Sequence, residues 1–338
     1  MSNNMKRYKY NILRVLLTIL LLPYILIKSN KYFKSFKDFC YTYPKFGRYE
    51  GNNEYYKQIP TDTNTLEYHY WDLKKMNIKI NSFQKNELVE FSLETKKGTI
   101  SCLKAQVNNS NKWAIGLHGW TEDKYLALRL VRHYYENGYN ILTFDAYAHG
   151  KSYGKFTDIG YSSIEMIDEI INFISKENEV KSIGLIGNSM GASTSVFYSQ
   201  TGKYKNKINW VISDCGFSNI KLQYRYYIQN NLFKKPWWLI SLGFIKKFSK
   251  ITKTNQNKYN LLKLMKLNST TPILFVHGKG DSFISYEMSL DLYNYKIKKE
   301  TSILSDLWTP DGSKHVYLIS DYHKEYLERT LVFSKSNN

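Results

Sequence analysis

The sequence predicts an α/β domain built on a mostly parallel sheet, and three observations carry that expectation. Short, mostly apolar segments at Trp113–Leu117, Asn140–Phe144, Ser182–Ile186, Trp210–Ile212, Ile273–Val276 and Thr301–Leu304 alternate with helical stretches, the pattern of strands buried on both faces. The clearest helix, Ser162 to Lys176, sets Ile164, Ile167, Ile171 and Ile174 on one side. Serine, aspartate and histidine follow directly on several of these strands, where the loops of such a sheet gather at the strands' carboxyl ends.

In chain order, residues 1–11 form a short basic tail, and Ile12 to Ile27 is an apolar run broken only by Arg14 and Pro23. As one helix this run would reach about 24 Å, short of the roughly 30 Å hydrocarbon core. No small-residue cleavage site follows it. The expectation is an uncleaved, single-pass transmembrane anchor in the cell membrane, with the bulk of the chain on the outer side. Residues 28–85 are polar and rich in Tyr, Lys and Asn, and read as a juxtamembrane arm with short helical pieces. From 86 to 338 the main α/β domain begins with a hairpin. Glu87–Glu94 alternates at period two, Lys97-Gly98 turns, and Thr99–Val107 returns.

The chemistry sits on the loops. Strand Ser182–Ile186 runs into Gly187-Asn188-Ser189-Met190-Gly191 and then a helical stretch. This is G-x-S-x-G in the strand–turn–helix setting that projects a serine hydroxyl. A second match, Gly150-Lys151-Ser152-Tyr153-Gly154, lies past its strand and precedes no helix, so Ser152 is read as an ordinary loop residue and Ser189 as the nucleophile. A serine needs a base, and the base needs a carboxylate to fix its tautomer. Asp281 closes the loop His277-Gly-Lys-Gly-Asp281, and His315 follows the last strand. The order Ser189, Asp281, His315 suits this architecture. Asp145 and Asp214 also end strands and rival Asp281. His118 and His277 each precede a glycine at a strand end and read as loop braces. The backbone N–H groups of Trp120, in Leu117-His118-Gly119-Trp120, and of Met190 are the expected oxyanion donors.

Taken together, His118-Gly119-Trp120, Asp145-Ala-Tyr-Ala-His149-Gly150, the Ser189 elbow, the Asp281 loop and His315 resemble the α/β-hydrolase superfamily. The nearest look is to membrane-anchored bacterial hydrolases of the lysophospholipase-like or serine-aminopeptidase-like type. The resemblance implies the α/β-hydrolase fold, a mostly parallel central sheet flanked by helices, with a helical lid insertion at about 216–270. That stretch carries Tyr224, Tyr226, Tyr227, Phe233, Trp237, Trp238, Phe244 and Phe248. One departure is Tyr147, where many relatives have arginine; any salt bridge made there is absent here.

Composition narrows the partners. Lys and Arg number 48 against 29 Asp and Glu, a net charge of +19, but only seven of the 48 are Arg. Arginine is the preferred reader of bases and phosphates, so the excess points to a membrane surface and not to nucleic acid. The three cysteines, Cys40, Cys102 and Cys215, are far apart and build neither a disulfide framework nor a metal knuckle. No cofactor and no metal is expected. The function read from the sequence is hydrolysis of carboxylic esters, of small-molecule or lipid and lysolipid type, through an acyl-enzyme. A peptidase or thioesterase using the same triad is the alternative, and a catalytically silent membrane scaffold the outside one.

Overall fold

A computed structural model describes residues 3–46, 63–177, 179–232, 236–265, 270–300, 302 and 304–338. Eight strands form one sheet in the order β1-β2-β4-β3-β5-β6-β7-β8. These are β1 Val89–Thr95, β2 Gly98–Ala105, β3 Lys112–Leu117, β4 Asn140–Phe144, β5 Ser182–Asn188, β6 Trp210–Asp214, β7 Ile273–Val276 and β8 Asp306–Trp308. The hairpin strand β2 pairs antiparallel with β1 and β4, and every pair from β4 through β8 is parallel. All residues of β4, β5, β6 and β7 are buried, which is why these segments read as unbroken apolar runs. One core layer packs Ile167, Ile171 and Ile174 against the sheet, and a second packs Leu128, Tyr134, Trp210 and Tyr326 on the other face.

The last strand lies beyond the expected Thr301–Leu304. Backbone N–H groups of Leu304 and Ser305 donate to the Glu300 carboxylate at 3.1 and 3.2 Å, so a side chain takes the place of a sheet partner there and the ladder starts at Asp306.

The apolar amino-terminal run is not one helix. It breaks into Ile12–Leu20 and Leu22–Phe46, and Ile12–Leu20 and Leu22–Lys34 are long and apolar enough to cross a membrane only as a pair, bent by 85°. No single helix among the described residues is long and apolar enough to cross a membrane. Pro23, which lacks an N–H and would clash with the turn before it in a continuous helix, sits at the break. The second helix crosses Ser241–Thr252 closely. A Cβ on Gly243 would stand 2.5 Å from that of Ser29, whose hydroxyl donates to Ile240 O at 2.9 Å. Within the polar arm, helix Leu66–Lys75 is fixed to the body by a buried Asp72–Arg129 pair at 2.7 Å.

The insertion between β6 and β7 carries helices Ile220–Tyr227 and Ser241–Thr252. Its aromatics Tyr224, Phe244, Phe248 and Trp237 are buried in the main core; Phe233 lies outside the described residues. Phe33 meets Phe244 edge-on at 5.5 Å, and Tyr10 meets Trp237 at 4.9 Å, so the amino-terminal segment and the insertion pack as one unit.

Candidate active site

β5 ends at Asn188, and Ser189 turns the chain into helix Met190–Thr201 with φ 52° and ψ −112°. A non-glycine residue at positive φ is strained. The strain is held from several sides. Ser189 N–H donates to Asp214 O at 2.8 Å, and the elbow sits hard against β3. A Cβ on Gly191 would lie 2.6 Å from the carbonyl carbon of Leu117 and 2.7 Å from His118 O, and one on Gly187 would lie 2.7 Å from the Ala192 nitrogen. The glycines are there for space.

His315, on the loop after β8, brings Nε2 to 2.9 Å from Ser189 Oγ and Nδ1 to 2.7 Å from Asp281 Oδ2. Since Nδ1 faces a carboxylate it carries the hydrogen, leaving the Nε2 lone pair for the serine hydroxyl. Asp281 is itself over-determined. Its Oδ1 accepts from the backbone N–H groups of Phe283 and Ile284 at 2.8 and 2.9 Å. Its Oδ2 also lies 3.0 Å from His277 Nε2. That nitrogen faces Ile284 O at 3.0 Å as well, so both neighbours are acceptors and Nε2 is the donor; Nδ1 then accepts from Ser289 Oγ–H at 2.8 Å. Burial would raise the Asp281 carboxyl, but the His315 charge and the donors from His277 and His315 hold it well below the usual carboxylate range. Burial likewise pulls the His315 imidazole down, and the Asp281 charge and hydrogen bond outweigh it, leaving the group raised.

Among the described residues neither rival is hydrogen-bonded to His315. Asp145 Oδ1 accepts from Lys124 N–H at 2.9 Å, and its Oδ2 accepts from Asn64 Nδ2 at 2.8 Å and Lys151 N–H at 2.9 Å. Asp214 accepts from Tyr326 OH at 3.0 Å, and burial lifts its carboxyl to about 6. Ser152 Oγ accepts from Ser101 N–H at 2.9 Å inside the protein. His118 braces its loop, with Nδ1 on Gly119 O at 2.7 Å and Nε2 accepting from Ala146 N–H at 2.9 Å. Tyr147 stacks edge-on against Tyr153 at 5.6 Å where a charged residue was the alternative.

Trp120 and Met190 line, with Ser189, one apolar cavity of about 50 Å³ that is closed by Phe217, Ile220, Tyr224 and Tyr227. On the other side of the serine a groove of about 280 Å³ passes Trp71, Asp72, Glu122, His315 and Tyr317. Sequence reasoning missed what props the Trp120 loop. Glu122 accepts from Gly119 N–H at 2.7 Å and Asn188 Nδ2 at 3.0 Å, and pairs with Arg129, which reaches Asp72. Burial raises the Glu122 carboxyl, and the Arg129 charge with these donors more than reverses it. Its only signal in the sequence was a charged residue three positions past a strand-end glycine. Among the described residues, the one donor set close enough to share an ion is Cys215, Asp281 and His315, within 4.8 Å of one another; the last two already use those atoms on each other.

Comparison with known proteins agrees with this layout. A family model described as alpha/beta hydrolase fold matches residues 115–240. The uncharacterized protein YqkD of Bacillus subtilis is 26% identical over 184 residues, 53% of this chain, and the chain spans only 58% of that relative's length. The Pyrococcus furiosus esterase Pf2001 is 25% identical, with a TM-score of 0.60 over 82% of this chain and 98% of its own. The esterase Est1E of Butyrivibrio proteoclasticus, solved with ferulic acid bound, shares the fold at 18% identity and a TM-score of 0.56, covering 73% of this chain and 99% of its own. The acylaminoacyl peptidase of Pyrococcus horikoshii does so at 15% and 0.55, covering 78% of this chain and 42% of its own. The sheet order, the family match and these likenesses converge: the chain has the α/β-hydrolase fold, and the match with the esterase supports a place in the α/β-hydrolase superfamily.

Proposed function

We propose that the protein is a serine hydrolase that cleaves carboxylic esters through an acyl-enzyme. The observation that carries this reading is the unbroken hydrogen-bonded line from Ser189 Oγ through His315 to Asp281, opening on an apolar cavity. His315 Nε2 takes the serine proton as Oγ attacks the acyl carbon, and Asp281 holds the imidazolium that results. The Trp120 and Met190 amides donate to the oxyanion. His315 then protonates the departing alcohol, and water repeats the sequence to free the acid.

The cavity of about 50 Å³ favours a short acyl group, with the alcohol in the wider groove. A long lipid acyl chain requires helix Ile220–Tyr227 to move, and we read the insertion as the lid. We also read the bent helix pair as the membrane attachment, with the catalytic body on the outer face. Its support is an inverted helix: Ile12 is 82% exposed and Leu20 75%, while Thr18 is buried.

A panel of aryl esters of increasing acyl length, acyl thioesters and aminoacyl amides tests the reading. The account expects short-chain esters to lead the long ones by at least about tenfold in kcat/KM. Preference for the amides would replace the esterase reading with a peptidase, and no turnover of any class would remove the enzyme.

A further inference from the structure

Away from Ser189 a cavity of about 780 Å³ opens between the amino-terminal segment, helix Ile220–Tyr227 and helix Glu287–Ile297. Five cations line it, Lys9, Lys221, Arg225, Lys263 and Lys299, and among the described residues no carboxylate does. Some basic side chains elsewhere on the body find acids, as in Lys151–Glu90, Lys279–Asp311, Lys296–Glu300 and Arg329–Glu325. Among the described residues none of the five is ion-paired. Arg225 is held in place for another purpose. Its guanidinium packs on the Tyr10 and Trp237 rings at 5.0 and 4.7 Å, and Nη1 donates to Tyr8 O at 2.8 Å. Its Nε is buried with no acceptor. Concentrating like charges in this way is costly unless an anion offsets it. Burial, with repulsion from Arg225 and Lys263, pulls the Lys221 ammonium below its ordinary range.

We propose that this cavity binds a phosphate-bearing anion, free or as the headgroup of an anionic lipid. The volume leaves room for a phosphate and the group that carries it, and lysine and arginine donors are the side chains that hold a phosphate. Helix Ile220–Tyr227 is a wall common to both cavities. Ile220, Gln223, Tyr224 and Tyr227 face the catalytic pocket, while Lys221 and Arg225 face this one. An anion seated here therefore grips the element that closes the acyl cavity.

The test compares full-length protein carrying Lys221→Gln with Lys263→Gln against a control pair, Lys96→Gln with Lys324→Gln, two exposed lysines outside the cavity. One arm measures binding to phosphatidylcholine vesicles with and without phosphatidylglycerol. The other measures the rise in Tm on adding inorganic phosphate against chloride at equal ionic strength. The account expects the cavity pair to lose roughly 30-fold in anion-dependent affinity and the control pair under about threefold. Loss confined to the vesicle arm names a lipid headgroup as the source; loss in the phosphate arm names a free ligand. Equal loss in both pairs, or no anion dependence in the unmodified protein, overturns the proposal. Lys263→Gln with Lys299→Gln repeats the test should the first pair fail to fold. Binding is read in Ser189→Ala as well, so the outcome is independent of whether the protein is an esterase.

Discussion

Two segments of this chain share the pattern G-x-S-x-G, and they have opposite physics. At Gly150–Gly154 the glycines adopt positive φ, 44° and 115°, and Ser152 is a buried brace that accepts from Ser101 N–H. At Gly187–Gly191 the serine itself sits at φ 52°, and the glycines give room for β3 and the following helix to close around it. In the proposed reading the pattern marks chemistry only where the serine bears the strain. A strained hydroxyl pointing off a strand end is available to a base; a relaxed one satisfies a neighbour.

The sharpest way to break the comparison is to remove each hydroxyl. Ser189→Ala is expected to lower kcat on a short-chain aryl ester by about 10⁶. Ser152→Ala is expected to leave kcat in place and to cost about 1–3 kcal/mol in denaturant unfolding, because it orphans a buried N–H. Equal loss of turnover in both variants would erase the distinction.

Next come the acids. Asp281→Asn keeps the shape but favours the wrong His315 tautomer, and kcat should fall about 10⁴-fold. Asp214→Asn, whose carboxylate accepts from Tyr326, should change kcat by less than about tenfold. The reverse ranking in steady-state kinetics would make Asp214 the partner of His315.

The glycines separate by space. Gly191→Ala drives a methyl into the backbone of Leu117 and His118 and should cost more than about 3 kcal/mol. Gly138→Ala, at φ 81° but with nothing within 4 Å, should cost about 1 kcal/mol in the same melts.

The smallest effect is a displacement in pH. In the proposed mechanism His315 acts as a neutral base, so kcat/KM should rise as pH passes upward through its pKa. Asp281 raises that pKa, which places the inflection above 6.5, the ordinary value. Asp281→Asn removes the charge and should move the residual inflection down. An unchanged inflection would mean that another group is being titrated.

The sequence made the sheet and the rim legible because each depends on local order. Buried parallel strands announce themselves as apolar runs, and Ser189, Asp281 and His315 each follow one. What it hid arises from side-chain contacts, some local and some between distant residues. Helix Leu66–Lys75 lay within a polar stretch, and its docking depends on Asp72 meeting Arg129, 57 positions away. Glu122 also meets Asn188, 66 positions away, which only the fold brings near. The last strand slipped because Glu300 captured two backbone donors, and the amino-terminal run broke at Pro23 although its hydrophobicity suggested one span.

The most direct measurement is mass mapping of the intact protein after reaction with a fluorophosphonate. The account predicts one covalent adduct, on Ser189, that vanishes in Ser189→Ala and weakens in His315→Ala. An adduct on Ser152, or none on folded protein, would contradict it.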